Sequence, residues 1–254
     1  MSAILLTLII FAFICAGMLL GVILRSLLPE RHLSEESRNM VTIGMGIVAT
    51  MAAIATGLFV QGAQENFRDQ RANIIEMGAK IVLIDKLLKD YGPEADGVRA
   101  VLREGVERTK DQLWPKDRSR GAEMESDDAK SETLYYSILS LKPATDAQRS
   151  IRDEAVSLSY DLAEGRAALV MAQTKVAPGA FLFVIGVIVF WFVAIFFSFG
   201  LYAPTNATVV STLVVAALAV ALALFIIMEL NTPFRGLLRM PSGPIVEALA
   251  HISG

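Results

Sequence analysis

The chain has 254 residues, 54% of them hydrophobic, and 23 Lys and Arg against 26 Asp and Glu leave a net charge of -3. That balance offers no basic surface for nucleic acid, and the apolar fraction points to a membrane protein. The single cysteine, Cys15, excludes an intramolecular disulfide and a thiolate metal site.

Four runs are long and apolar enough to cross a hydrocarbon core of ~30 Å at ~1.5 Å per residue. They are Ala3 to Leu24, Met40 to Val60, Ala177 to Tyr202 and Ala207 to Leu230. The first lacks a basic leader and a small-residue cleavage site and is longer than a signal-peptide core, so it reads as a retained span. Around the spans, Arg25, Arg31 and Arg38 lie on one side, and Arg68, Arg71, Arg166, Lys175, Arg235 and Arg239 on the other. Because positive charge stays inside, both termini are expected in the cytoplasm and the protein in a bacterial inner membrane. The expected order is spans one and two over 1–62, a cytoplasmic helical domain over 63–176, spans three and four over 177–231, and a cytoplasmic tail over 232–254.

The second span is the unusual one. Gly46, Ala49, Ala53 and Gly57 make a stripe of small residues that lets another helix come close. About a third of a turn away run Ile47, Thr50, Ile54, Leu58 and Gln61. Two readings fit. This helix is the most packed one of a bundle, or several copies surround an axis, with Ile54 and Leu58 as an apolar constriction able to gate by dewetting. Thr42, Thr50 and Thr56 are then candidate hydroxyls along the path, although a Thr in a membrane helix commonly bonds its own backbone.

Residues 63–176 hold 18 of the 23 basic and 21 of the 26 acidic residues, as a water-facing segment requires. Phe67, Ile74, Met77, Ile81, Ile84, Leu88 and Tyr91 step by threes and fours past one gap at Gln70, so the second span is expected to continue as one long helix. "YGPEA" ends it, with Gly92 suited to a cap and Pro93 barring continuation. A second helix is expected from Pro93 to Trp114, then a solvated loop "KDRSRGAEMESDDAK", then a short helix near "ETLYYSILSL". Thr145 and Gln148 form a capping-box pattern. The helix they start carries Ile151, Ala155, Leu158, Leu162, Leu169, Ala172 and Val176 and leads towards a break at Pro178 and Gly179. Such stripes suit the core of one bundle as well as an interface between copies.

The third span, aromatic around its circumference, is expected to face lipid. The fourth ends in "IIMELNTPFRG". Thr232 precedes Pro233 and so leaves the helical region, Asn231 can cap, Phe234 can tuck under the bundle, and Gly236 can supply a turn. Glu229 sits at the helix end whose dipole repels an anion, so it needs a cation or several donors. Arg68, Arg235 and Arg239 are candidates. Glu229 is then either half of a structural ion pair or a carboxylate lining a vestibule for ions.

No metal-ligand, phosphate-loop, dinucleotide or nucleophile-elbow motif occurs, and the two histidines, His32 and His251, stand apart. The reading is therefore no enzyme, no cofactor and no bound metal.

"ELNTPFRG" resembles the E-x-N-P-F-G signature that follows the last span of bestrophin channels, with Thr232 and Arg235 inserted. "LLPERHLSEESR", the "ATMAA" span, "YGPEA" and the terminal "ELNTPFRG" together resemble bacterial membrane proteins termed bestrophin-like, across nearly the whole chain. The resemblance implies an all-α fold with four transmembrane helices, a helical cytoplasmic layer between the second and third, and a homopentamer whose pore is lined by the second span. It departs in two places. "LLRMPSGPIVEAL" has only Glu247 where animal bestrophins carry an acidic calcium clasp, and the bulky neck aromatic has no counterpart beyond Leu58 or Phe59. Two functions remain in view: a homo-oligomeric channel for inorganic ions, embedded in the lipid bilayer, and a membrane scaffold or regulatory protein whose cytoplasmic domain docks a partner.

Overall fold

In a computed structural model, residues 3–29, 34–115, 128–174, 178–204, 206–234 and 236–253 are described. Arg31, His32, Lys175, Val176 and Arg235, and positions 116–127 of the segment expected as a loop, lie outside them. Among the described residues the regular structure is helical throughout. The helices are α1 (Ala3–Leu27), α2 (Glu35–Tyr91), α3 (Asp96–Leu113), α4 (Asp128–Leu139), α5 (Asp146–Thr174), α6 (Pro178–Tyr202), α7 (Ala207–Leu230) and α8 (Gly243–Ile252). The chain divides into two compact units, one of 1–66 with 177–232 and one of 67–176 with 233–254.

The first unit holds the four helices long and apolar enough to cross a membrane, counting the N-terminal part of α2. α1 buries Ile10, Ile14, Gly17, Met18 and Gly21, a spacing of threes and fours that makes one face. That face meets α6 almost backbone to backbone. A Cβ at Gly200 would fall 2.1 Å from the Met18 carbonyl oxygen, and one at Gly21 would fall 2.2 Å from that of Phe197. Only glycine permits this approach, which multiplies dispersion contacts where no hydrophobic driving force exists between helices in lipid. Arg25 closes the far end by donating to the Ala203 carbonyl at 2.7 Å. α6 is therefore two-sided: Ile185, Ile188, Ile195 and Phe196 are buried, while Phe183 and Phe190 are exposed. The uniform aromatic circumference of its sequence hides that division.

The second unit is built on the C-terminal part of α2. Ile74, Met77, Ile81, Ile84, Leu88 and Tyr91 are all buried in one core, with Phe67 packed against it. Gly92 has φ 122, a conformation that side chains rarely adopt, and Pro93 opens the short 3-10 turn Pro93–Ala95. α3 then returns with Val98, Leu102, Val106, Thr109 and Leu113 buried. A two-pronged ion pair ties α3 to α2, Arg99 Nε donating to Asp85 Oδ1 at 2.8 Å and Nη2 to Oδ2 at 3.1 Å. The hydrogen bonds to Asp85 push the Arg99 guanidinium further above its ordinary range despite burial. Lys80 is likewise raised, first by its hydrogen bond with Glu76.

The capping-box residues form their predicted start of α5. Thr145 Oγ1 accepts from Gln148 N at 3.1 Å, and Gln148 Oε1 accepts from Ala144 N at 2.8 Å. The Gln148 amide also donates to the Tyr91 carbonyl at 3.0 Å, so one side chain serves the start of α5 and the end of α2. α4 begins at Asp128, three residues inside the segment expected as loop. α5 crosses α2 at Gly165, where Asn73 Nδ2 donates to the Gly165 carbonyl at 3.0 Å. α8, which no sequence motif announced, lays Ile245, Ala248 and Ile252 on the core, and Arg103 caps it by donating to the Ile252 carbonyl.

Candidate functional site

The stretch of α2 in the first unit is the least covered of the four apolar helices. Of its most apolar window 11% is buried inside the chain, against 22%, 28% and 22% for α1, α6 and α7. Ala52, Thr56 and Ala63 are buried, at intervals of four and seven, and so define the side turned to its own chain. The other side carries Ile47, Ile54 and Leu58, at 60%, 53% and 64% exposure. Thr50 and Gln61 are exposed with them, so all five residues of the expected pore stripe share the open side.

The small-residue stripe lies beside them. Gly46, Ala53 and Gly57 are exposed, Ala49 is half-buried, and neither glycine has a neighbour within 4 Å of where a Cβ would stand. Ile43 and Met51, which belong to neither stripe, extend the open side at 64% and 55% exposure. The Thr50 hydroxyl donates to the Gly46 carbonyl at 2.9 Å and that of Thr56 to Ala52 at 2.7 Å. Both hydroxyl protons are thus spent on the helix, leaving oxygen lone pairs as the only polarity Thr50 offers outward. Thr42 is exposed. Gln61 donates to Glu65 Oε1 at 3.4 Å, one turn further on.

The turn after α7 has its parts in both units. In the first, Glu229 is 2% exposed. Asn231 Nδ2 donates to the Ile227 carbonyl at 2.9 Å and Thr232 N to that of Glu229 at 3.1 Å, so the last carbonyls of the helix are satisfied from its own exit. In the second, Pro233 and Phe234 are buried, and the Pro233 carbonyl accepts from Met240 N at 2.8 Å, closing the loop. Gly236, at φ 89, makes that closure possible. Trp114 Nε1 donates to the Met240 carbonyl at 3.0 Å, and its ring meets Phe234 edge-on at 5.7 Å. Phe234 is thus held by an aromatic partner 120 residues earlier, a pairing that local sequence could not disclose.

Among the described residues no three His, Cys, Asp or Glu converge as metal ligands.

A family model described as the bestrophin-like domain matches residues 12–245. The chain belongs to the bestrophin-like family. Its fold is shared with solved structures. Crystal structures of a bacterial bestrophin homologue from Klebsiella pneumoniae carrying single substitutions superpose with TM-scores of 0.67 at 14% identity, in one case covering 96% of this chain and 99% of that one. A crystal structure described only as a membrane protein superposes with TM-score 0.68 at 12% identity, covering 96% and 97%. A search of curated proteins finds no match. At such identities the likeness is one of fold, and this bestrophin-like chain shares that fold over 96% of its length.

Proposed function

We propose that this bestrophin-like protein is a homo-oligomeric ion channel, a pentamer by family resemblance, with an axial path lined by the open side of α2. The observation that carries the reading is the side-by-side placement of two stripes on a helix its own chain leaves uncovered. Gly46, Ala49, Ala53 and Gly57 let neighbouring copies approach, and Ile47, Thr50, Ile54, Leu58 and Gln61 then face the axis. Ile54 and Leu58 form a ring of apolar side chains, a constriction that holds water out until it widens. Gln61 and Glu65 follow as the first polar ring. Residues 63–176 form the cytoplasmic domain and both termini are cytoplasmic, in a bacterial inner membrane. Glu229 and the turn through Asn231, Pro233, Phe234 and Gly236 fix the exit of the last span.

Purified protein in liposomes tests this. Ion flux is expected, rising when Ile54 and Leu58 are replaced by Ala. Liposomes that stay tight with the wild type and with both variants, together with a stoichiometric partner on purification, would favour the scaffold reading instead.

A further inference from the structure

Residues 39–67 of α2 include its whole apolar stretch, and among them Glu65 is the one charged side chain. It follows Ile43, Ile47, Ile54, Leu58 and Gln61 at successive intervals of four, seven, four, three and four, so it stands on the open side of the helix. At ~1.5 Å per residue it lies ~10 Å beyond Leu58, which makes it the first charge past the apolar pair. Glu65 is exposed, and its described partner is Gln61, whose Nε2 donates to Oε1 at 3.4 Å. The nearest cation along the helix is Arg68, three residues further on, and no ion pair joins the two among the described residues.

The uncharged polar groups of that side add an independent sign, because they too present oxygen. Thr50 spends its proton on the Gly46 carbonyl at 2.9 Å, which leaves its lone pairs outward. Gln61 turns its nitrogen to Glu65, and its oxygen meets no donor among the described residues. Oxygen lone pairs replace the water around a cation and repel an anion, so the hydroxyl, the amide and the carboxylate all favour the same sign of ion.

We infer that the conducted ion is a cation and that Glu65 sets this choice. The inference rests on the conduction reading above and deepens it. In an assembly around an axis each copy adds one carboxylate at the same level, and such a ring gathers cations at the end of the apolar constriction while excluding anions. Ile54 and Leu58 then decide whether ions pass, and Glu65 decides which.

The full chain in planar bilayers under a gradient of potassium chloride tests this, since the reversal potential gives the ratio of potassium to chloride permeability. A ratio of about ten or more is expected, the lower end of the enrichment a focused charge produces. Glu65→Gln, nearly isosteric and on an exposed residue, is expected to bring the ratio to about one by removing that focus. Glu65→Arg is expected to favour chloride, Glu65→Asp to keep the preference for potassium, and Arg68→Gln to leave potassium favoured. Glu65→Cys in a Cys15→Ser chain gives a second route: an anionic thiol reagent should restore the preference and a cationic one reverse it. A wild type that selects chloride, or a Glu65→Gln channel whose ratio is unchanged, overturns the inference and leaves conduction standing. Silence of the wild type together with Ile54→Ala and Leu58→Ala overturns both.

Discussion

Gly17, Gly21 and Gly200 stand where α1 and α6 cross, so tightly that an added Cβ at Gly21 would fall 2.2 Å from a carbonyl oxygen, whereas Gly44, Gly46, Gly57 and Gly62 on α2 have nothing within 4 Å. The two regions use the same residue in helices of similar composition. In the first, the closeness that glycine permits is used inside the chain. In the second it is unused by the single chain, although each helical glycine there carries the same entropic penalty of about 1 kcal/mol relative to alanine. The difference teaches that the role of a small-residue stripe is read from what opposes it: α1 and α6 close theirs against each other, and α2 leaves its own open.

The comparison is sharpened most by substituting one glycine of each kind. Gly21→Leu should destabilise the subunit by about 3 kcal/mol or more, since the obstruction is backbone and cannot rotate away, and should show as lost monodispersity and expression. Gly57→Leu should leave the helical circular dichroism and thermal midpoint of the subunit in place and lower its oligomeric state in detergent, measured by native mass spectrometry. If both variants behave alike, the contrast between closed and open glycines has no functional content.

A smaller effect is expected inside the second unit, where contacts are also closed. Arg99→Met leaves the Asp85 carboxylate, on a residue 8% exposed, without its two donors. It should cost about 2 kcal/mol in chemical denaturation, with Asp85→Leu in the same chain restoring part of that. Trp114→Phe keeps a ring against Phe234 and removes the donor to the Met240 carbonyl, for a loss of about 1 kcal/mol. Smallest of all, Thr50→Val on the open side removes only a hydroxyl bonded to its own helix. Subunit stability should change by about 0.5 kcal/mol or less, so any change in ion flux would belong to the assembled path and not to folding.

Much of this architecture was legible because it is periodic. The run from Phe67 to Tyr91 announced a single buried face, "YGPEA" announced the stop with a glycine at positive φ, and Thr145 with Gln148 announced the start of α5. α2 starts at Glu35 rather than near Met40 because hydropathy marks where a helix enters lipid, not where its first turn forms. Ser34 accepts from Ser37 N at 3.3 Å and provides that start in polar sequence. α8 escaped notice because ten residues after a proline-rich turn carry too few repeats to stand out, though Ile245, Ala248 and Ile252 have the right spacing. At the candidate site, the stripes on α2 could be drawn from sequence, since small and large residues segregate there at helical intervals. Which side of the helix the chain itself would cover could not, because Ala52, Thr56 and Ala63 are no more apolar than their exposed neighbours.

The amide of Gln148 has a further consequence. Its oxygen accepts from Ala144 N, just ahead of α5, and its nitrogen donates to the last carbonyl of α2, so a side chain in the first turn of α5 ties the entry of that helix to the end of the other. Amide exchange at the end of α2 and the beginning of α5 should therefore proceed at a common rate, and Gln148→Ala should both quicken and uncouple the two.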